Sequence, residues 1–93
     1  MSLRFYIPGP LRVFTGGRAE VALNQAPGDV GSALKILWNL HPALQDRILD
    51  EQGQVRQHVN VFVGSESIRY TGGLATPLRD GLEIMIVPAV SGG

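Results

Sequence analysis

Strict alternation opens the chain. Leu3-Arg4-Phe5-Tyr6-Ile7 places apolar side chains at every second position, which predicts a strand with Leu3, Phe5 and Ile7 facing a core and Arg4 and Tyr6 facing out. Pro8-Gly9-Pro10 stops it. Leu11 to Arg18 reads as a long connection turned by Gly16 and Gly17, and Ala19-Glu20-Val21-Ala22-Leu23 as a second strand with Val21 and Leu23 inward. The two strands are expected to form an antiparallel hairpin. The period then changes. Val30, Ala33, Leu34 and Leu37 fall at the i, i+3, i+4, i+7 spacing of one helical face, predicting a helix from Val30 to about Leu40. Asp29 is suited to cap its free first-turn amides. His41-Pro42 ends it, because proline disfavours helical geometry in the residue before it. Trp38 reads as a packing residue beside the buried face, and His41 as a helix-end residue near the negative end of the dipole.

Pro42 to Leu49 predicts a short second helix through Leu44, Ile48 and Leu49, and Asp50 to Gly53 a turn. Gln54-Val55-Arg56 reads as a short edge strand. Val59-Asn60-Val61-Phe62-Val63 is the clearest central strand. Gly64-Ser65 turns it into a further strand, Glu66-Ser67-Ile68-Arg69-Tyr70. Thr71-Gly72-Gly73 repeats Thr15-Gly16-Gly17, but the flanking residues differ, so no internal repeat is inferred. After turns at Thr76-Pro77-Leu78 and Asp80-Gly81, Leu82 to Val87 forms the last strand, with Leu82, Ile84 and Ile86 inward. Pro88 has no N–H, so the ladder should stop there or one residue earlier. The order is β-β-α, an insertion over 42–58, β-β and a final β. That order predicts an α+β domain of the β-grasp or ubiquitin-like type: a mixed sheet with one main helix packed on one face. Residues 1–88 form the domain in this reading, and 89–93 a flexible tail. Ile84-Met85-Ile86-Val87 is apolar on both faces, as expected for a central strand that is buried or covered by a partner.

Composition narrows the chemistry. At 93 residues with 44% hydrophobic residues, the chain builds one small core. Eight basic and eight acidic residues cancel, so no basic stripe points to nucleic acid. The longest apolar run, Ile84 to Val90, is too short to span a membrane, and Met1 to Arg4 lacks the apolar stretch of a signal peptide. A cytoplasmic protein is expected. With no cysteine there are no disulfides, thiolate metal sites, thiol nucleophiles or persulfides. His41 and His58 lack the spacing of a metal pair, and no phosphate-binding glycine motif is present.

Side chains thus supply no obvious active site, and attention moves to the last stretch, Pro88-Ala89-Val90-Ser91-Gly92-Gly93. Extended, the five residues after Pro88 reach roughly 17 Å. Gly92 and Gly93, without Cβ atoms, can pass a slot that any side chain would block. The Gly93 carboxylate is then the candidate reactive group, with Pro88, Ala89, Val90, Ser91 and Gly92 entering a partner's site; no trimming is needed to expose it. By alternation the sheet face away from the helix should carry Tyr6, Phe62, Met85 and Val87, with Arg4 at its edge, and a cluster of exposed apolar side chains marks a docking surface. Arg56, Arg69 and Arg79 are candidates to meet an acidic partner, although such arginines more commonly stay solvated.

Several stretches together resemble the ThiS/MoaD/CysO family of small sulfur-carrier proteins. They are Val59-Asn60-Val61-Phe62-Val63, Ile68-Arg69-Tyr70-Thr71-Gly72-Gly73-Leu74, Thr76-Pro77-Leu78, Asp80-Gly81 and Ile86-Val87-Pro88-Ala89-Val90-Ser91-Gly92-Gly93. The Leu11-Arg12 and Thr15-Gly16-Gly17 loop, the Gly72-to-Thr76 loop and the tail are most similar to the CysO-like branch. The resemblance implies a carrier with no catalytic side chain and no resident cofactor. An E1-like adenylating and sulfur-transferring enzyme (MoeB/ThiF/MoeZ-like) would activate the Gly93 carboxylate with ATP, and sulfur would replace AMP to leave a thiocarboxylate. In the CysO-like case the acceptor is a cysteine synthase acting on an activated serine; an acyl shift gives a peptide-linked cysteine that a metallopeptidase releases. The alternatives are the small subunit of molybdopterin synthase with its large subunit as partner, a ubiquitin-like modifier joined to lysines, and a plain β-grasp module.

Overall fold

The computed structural model describes residues 2–25 and 27–88. Strand β1 (Leu3–Tyr6) pairs antiparallel with β2 (Glu20–Leu23), setting Leu3 opposite Leu23 and Phe5 opposite Val21. The hairpin arm between them is a 3-10 helix over Gly9–Thr15, where the sequence suggested only a connection. Proline at its start supplies the fixed φ, and its buried residues Leu11 and Thr15 tie it down. Gly16 and Gly17 close it with φ of 67° and 88°, a region that glycine enters without strain.

Helix α1 spans Val30–Leu40 as the apolar spacing predicts, and buries Val30, Ala33, Leu34, Leu37 and Trp38. Its start is satisfied twice. The Asp29 carboxylate accepts the Ser32 N–H at 2.8 Å, and the Val30 N–H donates to the Thr76 carbonyl at 3.0 Å. Without these partners the first-turn amides would be orphaned. The loop supplying Thr76 is itself latched: Thr76 Oγ1 lies 2.6 Å from the Gly73 carbonyl and 3.0 Å from Thr71 Oγ1. Here, as at Thr15-Gly16-Gly17, a Thr-Gly-Gly tripeptide follows a 3-10 turn and places glycines at positive φ (121° and 62° at Gly72 and Gly73).

The predicted second helix divides into a 3-10 turn, Pro42–Leu44, and a single turn of α2, Gln45–Ile48, with Leu44 and Ile48 fully buried. Arg47 stacks over the Phe14 ring, 4.8 Å from its centroid, joining this insertion to the hairpin arm. Two strand expectations are corrected. Gln54-Val55-Arg56 makes only an isolated bridge, Val55 to Leu49, because the Asp50 carboxylate holds the chain in a tight turn by accepting the Gln52 and Gln54 amides. Glu66 to Tyr70 is a strand only at β4, Glu66–Ser67; Ile68–Tyr70 coils into a 3-10 turn that buries Ile68 in the core.

Strand β5 (Glu83–Pro88) is central in the order β2-β1-β5-β3-β4. It runs parallel to β1, with Phe5 opposite Ile84, and antiparallel to β3 (Val59–Val63), with Val61 opposite Ile86. Pro88 is its last residue, opposite Val59. Ile84 and Ile86 are buried as expected, while Leu82 lies just before the strand and only half-buried. One core results, from Leu3, Phe5, Val21, Leu23, Val59, Val61, Ile84 and Ile86 of the sheet together with the helical side chains. The architecture is a mixed five-stranded β-grasp sheet with its helix on one face.

Candidate functional site

Side chains alternate across a sheet, so burying Ile84 and Ile86 forces Met85 and Val87 to the opposite face. The registers line up a row across that face: Glu20, Tyr6, Met85, Phe62 and Ser67 are consecutive cross-strand neighbours. Neighbours in such a row stand about 4.8 Å apart. Val87 lies one row toward the end of β5, beside Asn60. Met85 is 45% exposed, whereas Tyr6, Phe62 and Val87 are half-buried. The structure therefore brings Tyr6, Phe62, Met85 and Val87 together on one face at the strand that ends in Pro88. Ala89, Val90, Ser91, Gly92 and Gly93, named from sequence as the inserting and reactive residues, lie outside the described residues.

The polar edge of this face is tied together. The Tyr6 hydroxyl donates to Glu83 Oε1 at 3.3 Å. A hydrogen bond with the Tyr6 side chain, and then the nearby Glu20 carboxylate with a smaller part from Glu83, hold the Arg4 guanidinium's pKa above the usual arginine value. At the end of the sheet, Tyr6, Pro8, Met85 and Val87 line a groove of about 670 Å³, with Arg12, Arg18 and Glu20 also on its walls. Sequence reading did not place Arg12 and Arg18 beside this face. They belong to the hairpin arm, and nothing in their local pattern shows that the arm folds beside β5.

Two arginines proposed for an acidic partner are instead structural. Arg69 reaches back across β3: its Nε donates to Asn60 Oδ1 at 3.2 Å, and one terminal nitrogen lies 3.2, 2.9 and 2.7 Å from the carbonyls of Arg56, Gln57 and Val59. Arg56 Nε donates to the Asp46 carbonyl at 2.9 Å. Arg79 is exposed. Among the described residues no group of three or more His, Asp or Glu side chains is arranged to hold a metal ion, and no helix is long and apolar enough to cross a membrane.

A small β-grasp domain that turns an apolar sheet face outward and ends its central strand just before a Gly-Gly terminus has the form of a ubiquitin-like carrier. The model of the ThiS family matches residues 5–93. Sulfur carrier protein CysO of Mycobacterium tuberculosis is 36% identical over 96 residues, covering all of both chains. A chain in the crystal structure of the Amycolatopsis orientalis BexX/CysO complex superposes with a TM-score of 0.87 at 32% identity, covering 98% of this chain and 99% of that one. Small archaeal modifier protein 1 of Haloferax volcanii is 39% identical over 64 residues, 69% of each chain. The chain belongs to the ThiS family: it is a sulfur carrier, a small ubiquitin-like carrier protein rather than an enzyme.

Proposed function

We propose that this chain is a CysO-like carrier. In this reading an E1-like enzyme adenylates the Gly93 carboxylate with ATP, sulfur displaces AMP, and the resulting thiocarboxylate passes sulfur to an acceptor of the cysteine-synthase type in the cytoplasm. The supporting observation is the likeness to a CysO sulfur carrier over the full length of both chains. Each step has a chemical reason. A carboxylate is a poor acyl donor because its leaving oxygen is strongly basic, and adenylation replaces it with a good leaving group. The thiocarboxylate is a soft nucleophile, ionised at neutral pH, and attachment to a protein keeps it from diffusing away. The carrier adds no acid or base. It contributes a recognition face around Met85 and Val87, and a short tether that sets the sulfur near its target.

Intact mass of the protein purified from its native cells tests the reading. The expected result is a population in which one terminal oxygen is replaced by sulfur; a chain that carries only oxygen, even after incubation with its activating enzyme, ATP and a sulfur source, overturns it. A second reading, conjugation to target lysines, is favoured by the likeness to a small archaeal modifier protein. The chain's single lysine, Lys35, leaves only one side chain for branched polymers. A lysine-linked adduct would support the modifier; sulfide-dependent cysteine formation with a purified synthase would support the carrier.

A further inference from the structure

Strand β4 covers only one end of β3. It pairs at Phe62–Ser67 and Val63–Glu66, and the chain then coils into the 3-10 turn over Ile68–Tyr70. The Arg69 guanidinium takes over the edge that β4 leaves open. One terminal nitrogen lies 2.7 Å from the Val59 carbonyl, and Nε donates to Asn60 Oδ1 at 3.2 Å. The side from which it does so follows from the ladder. The Gly64 N–H donates to the Glu83 carbonyl at 2.9 Å, so Phe62–Met85 and Asn60–Val87, two and four residues on, are the hydrogen-bonded pairs of β3 and β5. The Val59 carbonyl therefore points away from β5, and Arg69 holds β3 from the side opposite β5.

Asn60 itself belongs to the outer face. Val59 and Val61 are buried, so Asn60 and Phe62 alternate outward, and Asn60 stands directly beside Val87. Arginine donates and cannot accept, so the oxygen of the amide must be the atom turned toward it. The amide nitrogen, with two N–H donors, is left on the side away from Arg69, and it has no hydrogen-bond partner among the described residues. A protein that covers Val87 also strips water from these donors. Buried unpaired they oppose binding, whereas an acceptor held against them removes that penalty. We propose that Asn60, oriented by Arg69, is a specificity residue of the docking face: it admits an enzyme that sets a main-chain carbonyl or a carboxylate oxygen beside Val87, and disfavours one that covers the same spot with apolar surface. This rests on the reading of the chain as a carrier whose face around Met85 and Val87 is bound by its activating enzyme. Arg69 acts here as a positioning residue, because without it the amide is free to turn over and present its oxygen instead.

Isothermal titration of the full chain with its E1-like activating enzyme, beside urea unfolding of each variant, tests this. Asn60→Asp keeps an acceptor for Arg69 and replaces the outward donors by a second acceptor. Its urea midpoint should equal or exceed that of the wild type while its affinity falls by about tenfold or more. Asn60→Ala should lower the midpoint slightly and the affinity by about tenfold, since the enzyme's acceptor is then left unpaired. Affinity thus falls from Asn to Ala to Asp, whereas a merely structural role would make affinity follow stability and leave Asn60→Asp binding like the wild type. Arg69→Ala, measured where unchanged core methyl shifts of Leu34 and Ile84 show it folded, should weaken binding of the wild type and add nothing to Asn60→Ala. Wild-type affinity in Asn60→Ala overturns the proposal even if Asn60→Asp binds weakly, because the loss then comes from the added charge alone. An Arg69→Ala loss that persists beside Asn60→Ala overturns the positioning role. A wild-type chain that does not bind the enzyme removes the docking face and this proposal with it. The mass test reports on sulfur loading separately, so a chain that loads normally and ignores every Asn60 change sinks only the specificity residue.

Discussion

Arg69→Ala should destabilise the domain although the side chain lies at the surface. The guanidinium closes the gap between β3 and the segment before it through contacts to three carbonyls and the Asn60 side chain, at 2.7 to 3.2 Å. A hydrogen bond to a charged group contributes about 1.5–3 kcal/mol net. These do not add. The contacts to Asn60, Arg56 and Gln57 are solvent-exposed, so water replaces the guanidinium there at small cost, whereas the Val59 contact is partly buried. One charged bond to a partly shielded carbonyl, about 2 kcal/mol, is therefore the expected loss. For a domain of this size that lowers the thermal midpoint by on the order of 10 °C. Urea unfolding followed by Trp38 fluorescence measures it directly, and the slope should stay constant while the midpoint falls. Arg69→Lys should recover less than half, because one ammonium cannot reproduce a planar fork spread over several acceptors. A loss within about 0.5 kcal/mol, the range of ordinary surface substitutions, would refute the assignment of Arg69 as a brace.

Further outcomes follow from the same geometry. Met85→Asp and Val87→Asp should leave the domain folded and weaken binding to the activating enzyme by about 2 kcal/mol or more, a hot-spot loss that isothermal titration would register; unchanged affinity for both removes this face from the docking surface. Deleting Gly93, or adding one residue after it, should abolish thiocarboxylate formation by mass spectrometry, since the reactive carbon moves by roughly 3.5 Å and even 1 Å can cost about a hundredfold in rate; Gly92→Val should fail too by blocking a narrow channel. Asp29 is held below its ordinary pKa of 3.8 by the Ser32 backbone N–H and then the Ser32 side chain. A lowered folded-state pKa means its contribution is complete above that ordinary value and is lost as pH falls through the lowered one. The stability difference between wild type and Asp29→Asn should accordingly be constant near neutrality and change only below about pH 4; a difference that varied between about pH 5 and 8 would assign the effect to another group.

Where structure is set by neighbours in the chain, the sequence alone determined it. The limits of α1 were legible because an apolar face at helical spacing lies between a capping aspartate and a His-Pro stop, and all three act within a few residues. The buried and exposed faces of β1, β3 and β5 followed from alternation, and so did the gathering of Tyr6, Phe62, Met85 and Val87 on one surface. Elsewhere tertiary contacts decided. Glu66 to Tyr70 alternates well enough for a strand, but Ile68 gains more by turning into the core, and Arg69 then caps the carbonyls around β3. Val55 is too near the Asp50 turn to extend a ladder. That Arg12 and Arg18 stand beside β5 was invisible because the groove joins residues nearly seventy positions apart. A side chain's pattern reports which way it points from its own backbone; what it meets there depends on which distant strand the sheet brings alongside.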